Sequence, residues 1–442
     1  MMNSRKTAVA ILEEVFQNKA YSNIALKTTL NKYQFETNDR ALITEIVYGT
    51  IKYKYTIDTI LRYFIKIPFK KVDSNILNIL RISIYQMKYL TKIPQYAVVN
   101  EAVDLAKKHS QGSSKFVNGV LRNYLRNTET DFCASQDEVE RLCFKYSFEK
   151  WMVKSFINQY GIEKAEYILA GLNETPYVSI RINTLKTNLE EVTLKLEKLG
   201  YNLKAGNLYK NSLNIVKGSS IENNPLFKEG LITVQDESAM LAVDCMDIQK
   251  GMNLGDLCAA PGGKSTHMSE ILNNTGNVSS FDIYEHKVKL IKNNAKRLGI
   301  SNLTAEIMNA EEFSPQYVDS FDALLVDVPC SGLGIIKKKP EIKWFKDKKD
   351  LEDILKVQKN ILNNACKYVK GGGTLIYSTC TLNKKENEET IIKFLKDHPN
   401  YELQNIDYGS RENILYPYNG MITILPNKEM DGFFISKLKR KA

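Results

Sequence analysis

Two of the seven cysteines sit where a thiol can act as a nucleophile. Cys330 lies in Asp327-Val328-Pro329-Cys330-Ser331-Gly332, and Cys380 lies in Tyr377-Ser378-Thr379-Cys380-Thr381. Each follows a short apolar run that reads as a buried strand, and ligands bind at the carboxyl ends of strands in open α/β sheets. Even an unperturbed thiol, with a pKa of about 8.5, is a few per cent thiolate at neutral pH. Cys133, Cys143, Cys245 and Cys366 read instead as small apolar filler. No two cysteines form a C-x-x-C pair and the four histidines are scattered, which argues against both a zinc site and a disulfide framework.

A third chemical element precedes the thiols. Asp256-Leu257-Cys258-Ala259-Ala260-Pro261-Gly262-Gly263-Lys264-Ser265-Thr266 joins a strand to a helix. Small residues there let the backbone approach a ligand, and the helix start offers unpaired N–H groups. Asp282 ends the next strand, where a carboxylate accepts hydrogen bonds from ribose hydroxyls. Gly263-Lys264-Ser265 imitates the tail of a phosphate-binding loop, but that motif requires glycine where Cys258 stands, so the ATPase reading fails.

Thiols beside a nucleoside-binding loop suit chemistry on a pyrimidine. Cytosine C5 is a poor nucleophile while the ring is aromatic. A thiolate adding to C6 makes C5 an enamine carbon that attacks an activated methyl group. Loss of the C5 proton and expulsion of sulfur restore the ring. A carboxyl group should face the N3/N4 edge as C6 is attacked, and Asp327 is best placed for it. Either Cys330 or Cys380 can supply the thiolate in this scheme. A non-catalytic RNA-binding or ribosome-assembly factor is the competing class. An amino-group methyltransferase is disfavoured because Asp327-Val328-Pro329-Cys330 lacks the Pro-Pro-aromatic pattern of those enzymes.

The elements that must position these groups follow from hydrophobic periodicity. From about residue 236 strands and helices alternate, with strands expected at Asn253–Cys258, Val278–Ile283, Leu303–Met308, Ala323–Val328 and Thr374–Ser378. That alternation predicts a doubly wound parallel sheet, with Met421–Leu425 and Phe433–Leu438 as antiparallel edge strands. Gly371-Gly372-Gly373 reads as a turn before the Cys380 strand. Upstream, Tyr177–Asn183 alternates like a strand, Asn188–Leu199 reads as a helix, and Leu213–Val216 and Leu231–Gln235 as short strands. This is a small α+β insert. Residues 5–127 read as successive amphipathic helices, punctuated by Pro68, Pro94 and the serine-rich cluster at 110–114. The expected domains are 1–130 (all-α bundle), 131–235 (linker helix and insert) and 236–442 (α/β catalytic domain).

Charge divides along the same lines. The net charge is +10, and residues 1–130 carry the whole excess, with 20 basic against 10 acidic side chains. A helical module with that balance is expected to dock on a polyanion such as RNA. No stretch is apolar enough for a membrane span and the N-terminus lacks a signal core, so a cytoplasmic monomer with no membrane partner is expected.

These motifs resemble those of the RNA cytosine-C5 methyltransferases, and nearly the whole chain resembles the bacterial 16S ribosomal RNA branch of that family. Cys258–Lys264 (CAAPGGK) is similar to the family's cofactor loop, and Asp327-Val328-Pro329-Cys330 with Thr379-Cys380 to its two cysteine motifs. Further similar segments are Gln235-Asp236-Glu237-Ser238, Pro340-Glu341-Ile342-Lys343-Trp344, Glu386-Asn387-Glu388 and Asp431-Gly432-Phe433-Phe434. The resemblance implies a NusB-like N-terminal bundle, an RRM- or ferredoxin-like insert and a Rossmann-like, class I S-adenosylmethionine-dependent methyltransferase domain. It implies Cys380 as the nucleophile and Cys330 as the residue that assists product release. It places Cys258, Ala259, Ala260, Pro261, Gly262, Gly263, Lys264, Asp282 and Asp327 around S-adenosylmethionine. Asn309 stands where the family usually has an acid facing the adenine. The implied substrate is cytosine 967 of 16S ribosomal RNA, naked or in a partly assembled small subunit, with no metal.

Overall fold

Helices begin where the sequence supplies side-chain acceptors. Asn3 caps Ser4–Phe16 by accepting from the Arg5 and Lys6 amides, and Asp73 caps Ser74–Tyr89 by accepting from Asn75 and Ile76. The computed structural model describes residues 3–442. The serine-rich cluster at 110–114 proves to be a beginning rather than a break. Ser110 accepts from the Ser113 amide and opens the helix Gln111–Arg126, because serine is as good a cap as it is a poor interior residue. A helix not expected from periodicity, Ser22–Lys32, joins the bundle with only Ser22, Ala25, Leu26 and Leu30 buried.

The chain up to Asn173, together with Ile336–Phe345, forms one compact unit. At its centre every residue of Ser74–Tyr89 from Ile76 to Gln86 is buried, and Arg81 donates to both carboxylate oxygens of Asp58 at 2.7 and 2.9 Å. The polar stretch near 127–136 leads into three helices, Glu138–Tyr146, Lys150–Tyr160 and Ile162–Gly171, which complete this unit. No helix among the described residues is long and apolar enough to cross a membrane.

The ten-residue segment Ile336–Phe345 docks in the helical unit through two fully buried charges. Glu341 accepts from the Ser22 amide at 3.1 Å and its hydroxyl at 2.7 Å, at the positive N-terminus of Ser22–Lys32. Lys343 donates to the carbonyls of Lys52 and Ser147, each at 3.0 Å, to that of Tyr146 at 3.3 Å, and to the Asn173 amide oxygen at 2.8 Å. Burial, then the neighbouring Lys52 charge, push its ammonium well below the usual lysine range. The C-terminal carbonyls of two helices oppose that push. Trp344 between them donates its indole N–H to the Ile51 carbonyl at 2.8 Å.

The second unit comprises Glu174–Ile335 and Lys346–Ala442. Its insert is a four-stranded antiparallel sheet ordered β2-β3-β1-β4, from β1 (Val178–Ile182), β2 (Asn202–Ala205), β3 (Ser212–Lys217) and β4 (Ile232–Val234). The large sheet holds β5 (Asn253–Asp256), β6 (Asn277–Asp282), β7 (Leu303–Ile307), β8 (Phe321–Asp327), β9 (Val369–Thr379), β10 (Tyr401–Leu403), β11 (Ile414–Tyr418), β12 (Met421–Ile424) and β13 (Phe433–Arg440). Its order is β11-β12-β13-β9-β8-β5-β6-β7, with β10 paired to β13. Strands β5 to β9 are parallel, and the chain reverses direction across the sheet between β5 and β8. Two expectations need correction. β13 is no edge: it pairs with β9 and β12, so its residues Phe433 to Leu438 are all buried. Gly371–Gly373 is not a separate turn but lies within β9, where Gly372 takes φ +74° beside a register shift against β8.

Replacing Lys343 by methionine takes a donor from the Lys52 and Ser147 carbonyls, whereas the Tyr146 carbonyl keeps the Asn173 side-chain amide. Lys343→Met is expected to lower the stability of the helical unit by about 3 kcal/mol. The urea midpoint followed by helicity reads this out, and an unchanged midpoint contradicts it.

Candidate active site

The reversal between β5 and β8 opens a crevice at the carboxyl ends of these strands, where open α/β sheets bind ligands. The loop after β5 turns through Gly262 at φ +96° into the helix Gly263–Ile271. No side chain caps that helix, so its first amides remain available to a ligand. Beneath them Asp256 accepts from Ser265 Oγ at 2.7 Å through one oxygen, while the other is buried without a partner. Burial pushes Asp256 up to about 6; Ser265 and Lys264 pull it down and Asp327 adds to the rise. Asp282 ends β6, receives the Tyr284 amide at 3.2 Å and lies 3.6 Å from Lys287. An uncapped helix start, an unpartnered carboxylate oxygen and an acid ending the next strand fit a nucleoside bearing a charged chain.

Asn309 sits after β7 with its side chain already engaged. Its amide oxygen accepts from the Glu311 amide at 3.1 Å and its amide nitrogen donates to Glu312 at 2.8 Å. These bonds close a local turn, so contact with an adenine amino group would compete with them.

The insert braces the 258–264 loop and the helix that follows it from behind. Arg181 on β1 is fully buried and donates to both oxygens of Glu270 at 2.9 and 2.8 Å, and to Thr266 Oγ1 at 3.1 Å. It also reaches the Gly263 carbonyl at 2.7 Å and the Gln235 side chain. One guanidinium therefore fixes the first two turns of the helix whose amides face the crevice.

Strands β8 and β9 run parallel with Asp327 opposite Ser378, which brings the loops that follow them side by side. Cys330 Sγ lies 3.1 Å from Cys380 Sγ, and both residues are partly exposed. The hydrogen bond with Cys380 raises the Cys330 pKa well above the thiol range, and burial adds to it. Either sulfur can be the donor across this contact. Asp327 accepts from Lys264 at 2.6 Å and from Ser378 Oγ at 2.7 Å. Burial alone would lower the Lys264 pKa, but the Asp327 carboxylate outweighs it and the net shift is upward.

A buried carboxylate that the sequence reading treated only as part of a motif staples the two loops. Glu386 accepts from the Ser331 amide at 2.9 Å and hydroxyl at 2.6 Å, from Gln358 at 3.0 Å and from Asn383 at 3.0 Å. Ser331 Oγ also meets Thr381 Oγ1 at 2.7 Å, and Gln358 holds the Pro329 carbonyl at 3.0 Å. The Gly334 amide donates to the Cys380 carbonyl at 2.9 Å. A Cβ on Gly334 would lie 1.9 Å from the Gly432 carbonyl oxygen, so glycine is required at this crossing. Of the residues singled out from sequence, Cys330, Cys380, Asp327 and Lys264 converge. The 258–264 loop and Asp282 flank them on adjacent strands. The signal for Glu386 was an acid flanked by asparagines close after the second cysteine.

Known proteins were then compared with the chain. Three family models match: NusB family over residues 2–126, an RsmF/B-like ferredoxin-like domain over 148–222, and 16S rRNA methyltransferase RsmB/F over 243–439. The chain is 38% identical to the probable ribosomal RNA small subunit methyltransferase B of Bacillus subtilis, covering 99% of this chain and 98% of that one. It is 34% identical to the protein of that name in Synechocystis, over the full length of both. The crystal structure of PH0851 matches with a TM-score of 0.82 at 26% identity, covering 100% of this chain and 99% of the other.

The raised Asp256 pKa makes stability depend on pH. Its folded value, about 6, lies above the usual carboxylate value of 3.8. The group's contribution is therefore complete below pH 4 and is lost as pH rises through 6, by roughly 3 kcal/mol. Thermal midpoints of the ligand-free protein from pH 4 to 7 should show Asp256→Asn gaining on wild type as pH increases. Parallel curves contradict the assignment.

Proposed function

Because this chain belongs to the ribosomal RNA small subunit methyltransferase B family, whose members are S-adenosylmethionine-dependent RNA methyltransferases, we propose that it methylates C5 of a cytosine in 16S ribosomal RNA through a bond from Cys380 to C6. The observation that carries this reading is the 3.1 Å contact between Cys330 Sγ and Cys380 Sγ, beside the Lys264–Asp327 pair.

In this reading Cys330 is the donor across that contact and Cys380, which matches the family's Thr-Cys motif, is the sulfur that attacks. Hydrogen bonding from Cys330 stabilises a thiolate at Cys380, and the Lys264 ammonium adds favourable charge. Cys380 adds to C6, and the electrons of the C5–C6 double bond become available at C5. Asp327, held by Lys264 at 2.6 Å, accepts from the exocyclic N4 amino group and holds the ring edge. Bound S-adenosylmethionine supplies the electrophilic methyl group. The 258–264 loop, the first amides of Gly263–Ile271 and Asp282 are the groups proposed to hold that cofactor. Once C5 carries both its hydrogen and the new methyl group, solvent water takes the C5 proton, the C–H electron pair re-forms the C5–C6 double bond, and the sulfur leaves C6 with the electrons of the C–S bond. Cys330 assists this release by donating its proton to the departing Cys380 sulfur.

The helical unit, with its excess of basic side chains, docks the RNA, and cytosine 967 is the target that family resemblance favours. An unstacked cytosine turned into the crevice reaches the thiols without the duplex entering it.

Methyl transfer from labelled cofactor to unmodified small-subunit RNA tests the roles of the two sulfurs. Cys380→Ala should reduce turnover by at least about a thousandfold, the loss expected for a missing nucleophile. Cys330→Ala should accumulate a protein–RNA adduct visible on a denaturing gel. Turnover retained in Cys380→Ala and abolished in Cys330→Ala would reverse the assignment. Binding of RNA with no transfer at all by the wild-type protein would leave only an assembly factor.

A further inference from the structure

The helical unit carries an open cleft that the catalytic reading does not use. Two adjoining cavities, of 490 and 550 Å³, share Lys54, Glu149 and Trp344 in their walls. Each falls in the size range of nucleotide-scale ligand sites. The aromatic walls are Phe16, Tyr55, Phe69, Trp151, Trp344 and Phe345. Trp344 and Phe345 come from the Ile336–Phe345 segment, which Glu341 and Lys343 hold in place. Both indole N–H groups are tied down, Trp344 to the Ile51 carbonyl at 2.8 Å and Trp151 to Glu149 at 2.9 Å. Holding the indoles in advance reduces the entropy cost of stacking a ligand on them.

Charge in the cleft is one-sided. Lys19, Lys54, Arg62, Lys70, Arg81 and Lys150 line it against the acids Asp58 and Glu149, with Lys150 itself paired to Glu140 at 2.9 Å and Asp137 at 3.8 Å. Asp58 is already neutralised by Lys54 and Arg81, with its carboxyl held below the usual range despite burial. Glu149 accepts from Trp151. Lys19 and Lys70 are exposed on the rim and form no ion pair among the described residues. Arg62 lies over the Phe69 ring at 4.2 Å. Cations on a rim around fixed aromatic walls are what a single-stranded polyanion with flat bases requires.

We propose that this cleft binds an unpaired stretch of RNA, with a base against the Trp151 and Trp344 walls and neighbouring phosphates on Lys19 and Lys70. The inference rests on RNA being the substrate and adds a point of contact that the helical unit itself supplies. It gives the segment following Cys330 a direct part in holding the RNA.

The chain's two tryptophans both line the 490 Å³ cavity, so intrinsic fluorescence reports its occupancy. The full chain is titrated with an unstructured single-stranded RNA of about a dozen nucleotides, enough to fill a groove of this class. Tryptophan emission should fall with the Kd measured by anisotropy of labelled RNA. The Lys19→Glu/Lys70→Glu double variant should bind about tenfold or more weakly, with a salt slope reduced by about two. Its affinity for S-adenosylmethionine should be unchanged. Trp344→Leu should cost about tenfold, at the lower end for loss of one stacked base. RNA binding with unaltered emission and wild-type affinity in the double variant overturns the proposal, as does equal quenching by a fully paired duplex. In either case continued methyl transfer to ribosomal RNA would leave the catalytic reading standing.

Discussion

Two sulfurs 3.1 Å apart, those of Cys330 and Cys380, form the contact on which the rest of the catalytic unit depends. The two cysteines are 50 residues apart, and each stands in a loop that would wander on its own. Adjacent parallel strands β8 and β9 bring the loops level, because Asp327 pairs with Ser378 in register. The Glu386 carboxylate then satisfies four donors from both loops and from Gln358, so neither loop can shift without leaving a buried charge short of partners. The close crossing of Gly334 and Gly432 removes the remaining freedom.

Fixed charges around this contact divide the work. Lys264 and Asp327 form an ion pair next to the sulfurs, and Asp327 raises the Lys264 pKa against its burial. Asp256, deeper and with one oxygen unpartnered, favours its neutral form. Arg181 reaches from the insert into the helix that faces the crevice, which explains why a small antiparallel sheet interrupts the chain ahead of the catalytic strands. The helical unit uses the same physics: a buried carboxylate at a helix start and a buried ammonium at helix ends anchor the segment carrying Trp344. Charge here specifies geometry more than it adds stability.

Much of this was legible in the sequence. All five parallel strands lie where apolar runs predicted them, and the glycine-rich loop, Asp282, Asp327 and the two thiols declared themselves by residue type at strand ends. What escaped had physical causes. β10 spans only three residues and β11 is interrupted by Pro417 beside a register shift, so neither shows clean alternation. The interior place of β13 is set by pairing partners distant in sequence, which periodicity cannot report. Gly371–Gly373 has turn composition and no register partner of its own, but Val369 and Thr374 on either side pair with β8, so the run is an irregularity within β9. Arg181 was visible as a charge within an alternating strand, but its partners lie more than 50 residues away. The same holds for Glu341 and Lys343, whose acceptors and donors belong to helices early in the chain.

The division of labour between the sulfurs is tested most directly by RNA carrying 5-fluorocytidine at the target. Fluorine at C5 cannot leave as a proton does, so the methylated intermediate stays attached to the attacking sulfur. Digestion of the trapped complex and mass spectrometry should place the modified nucleotide, with its added methyl group, on the peptide containing Cys380. Attachment to the Cys330 peptide, or turnover of the fluorinated RNA with no attachment at all, would contradict the account.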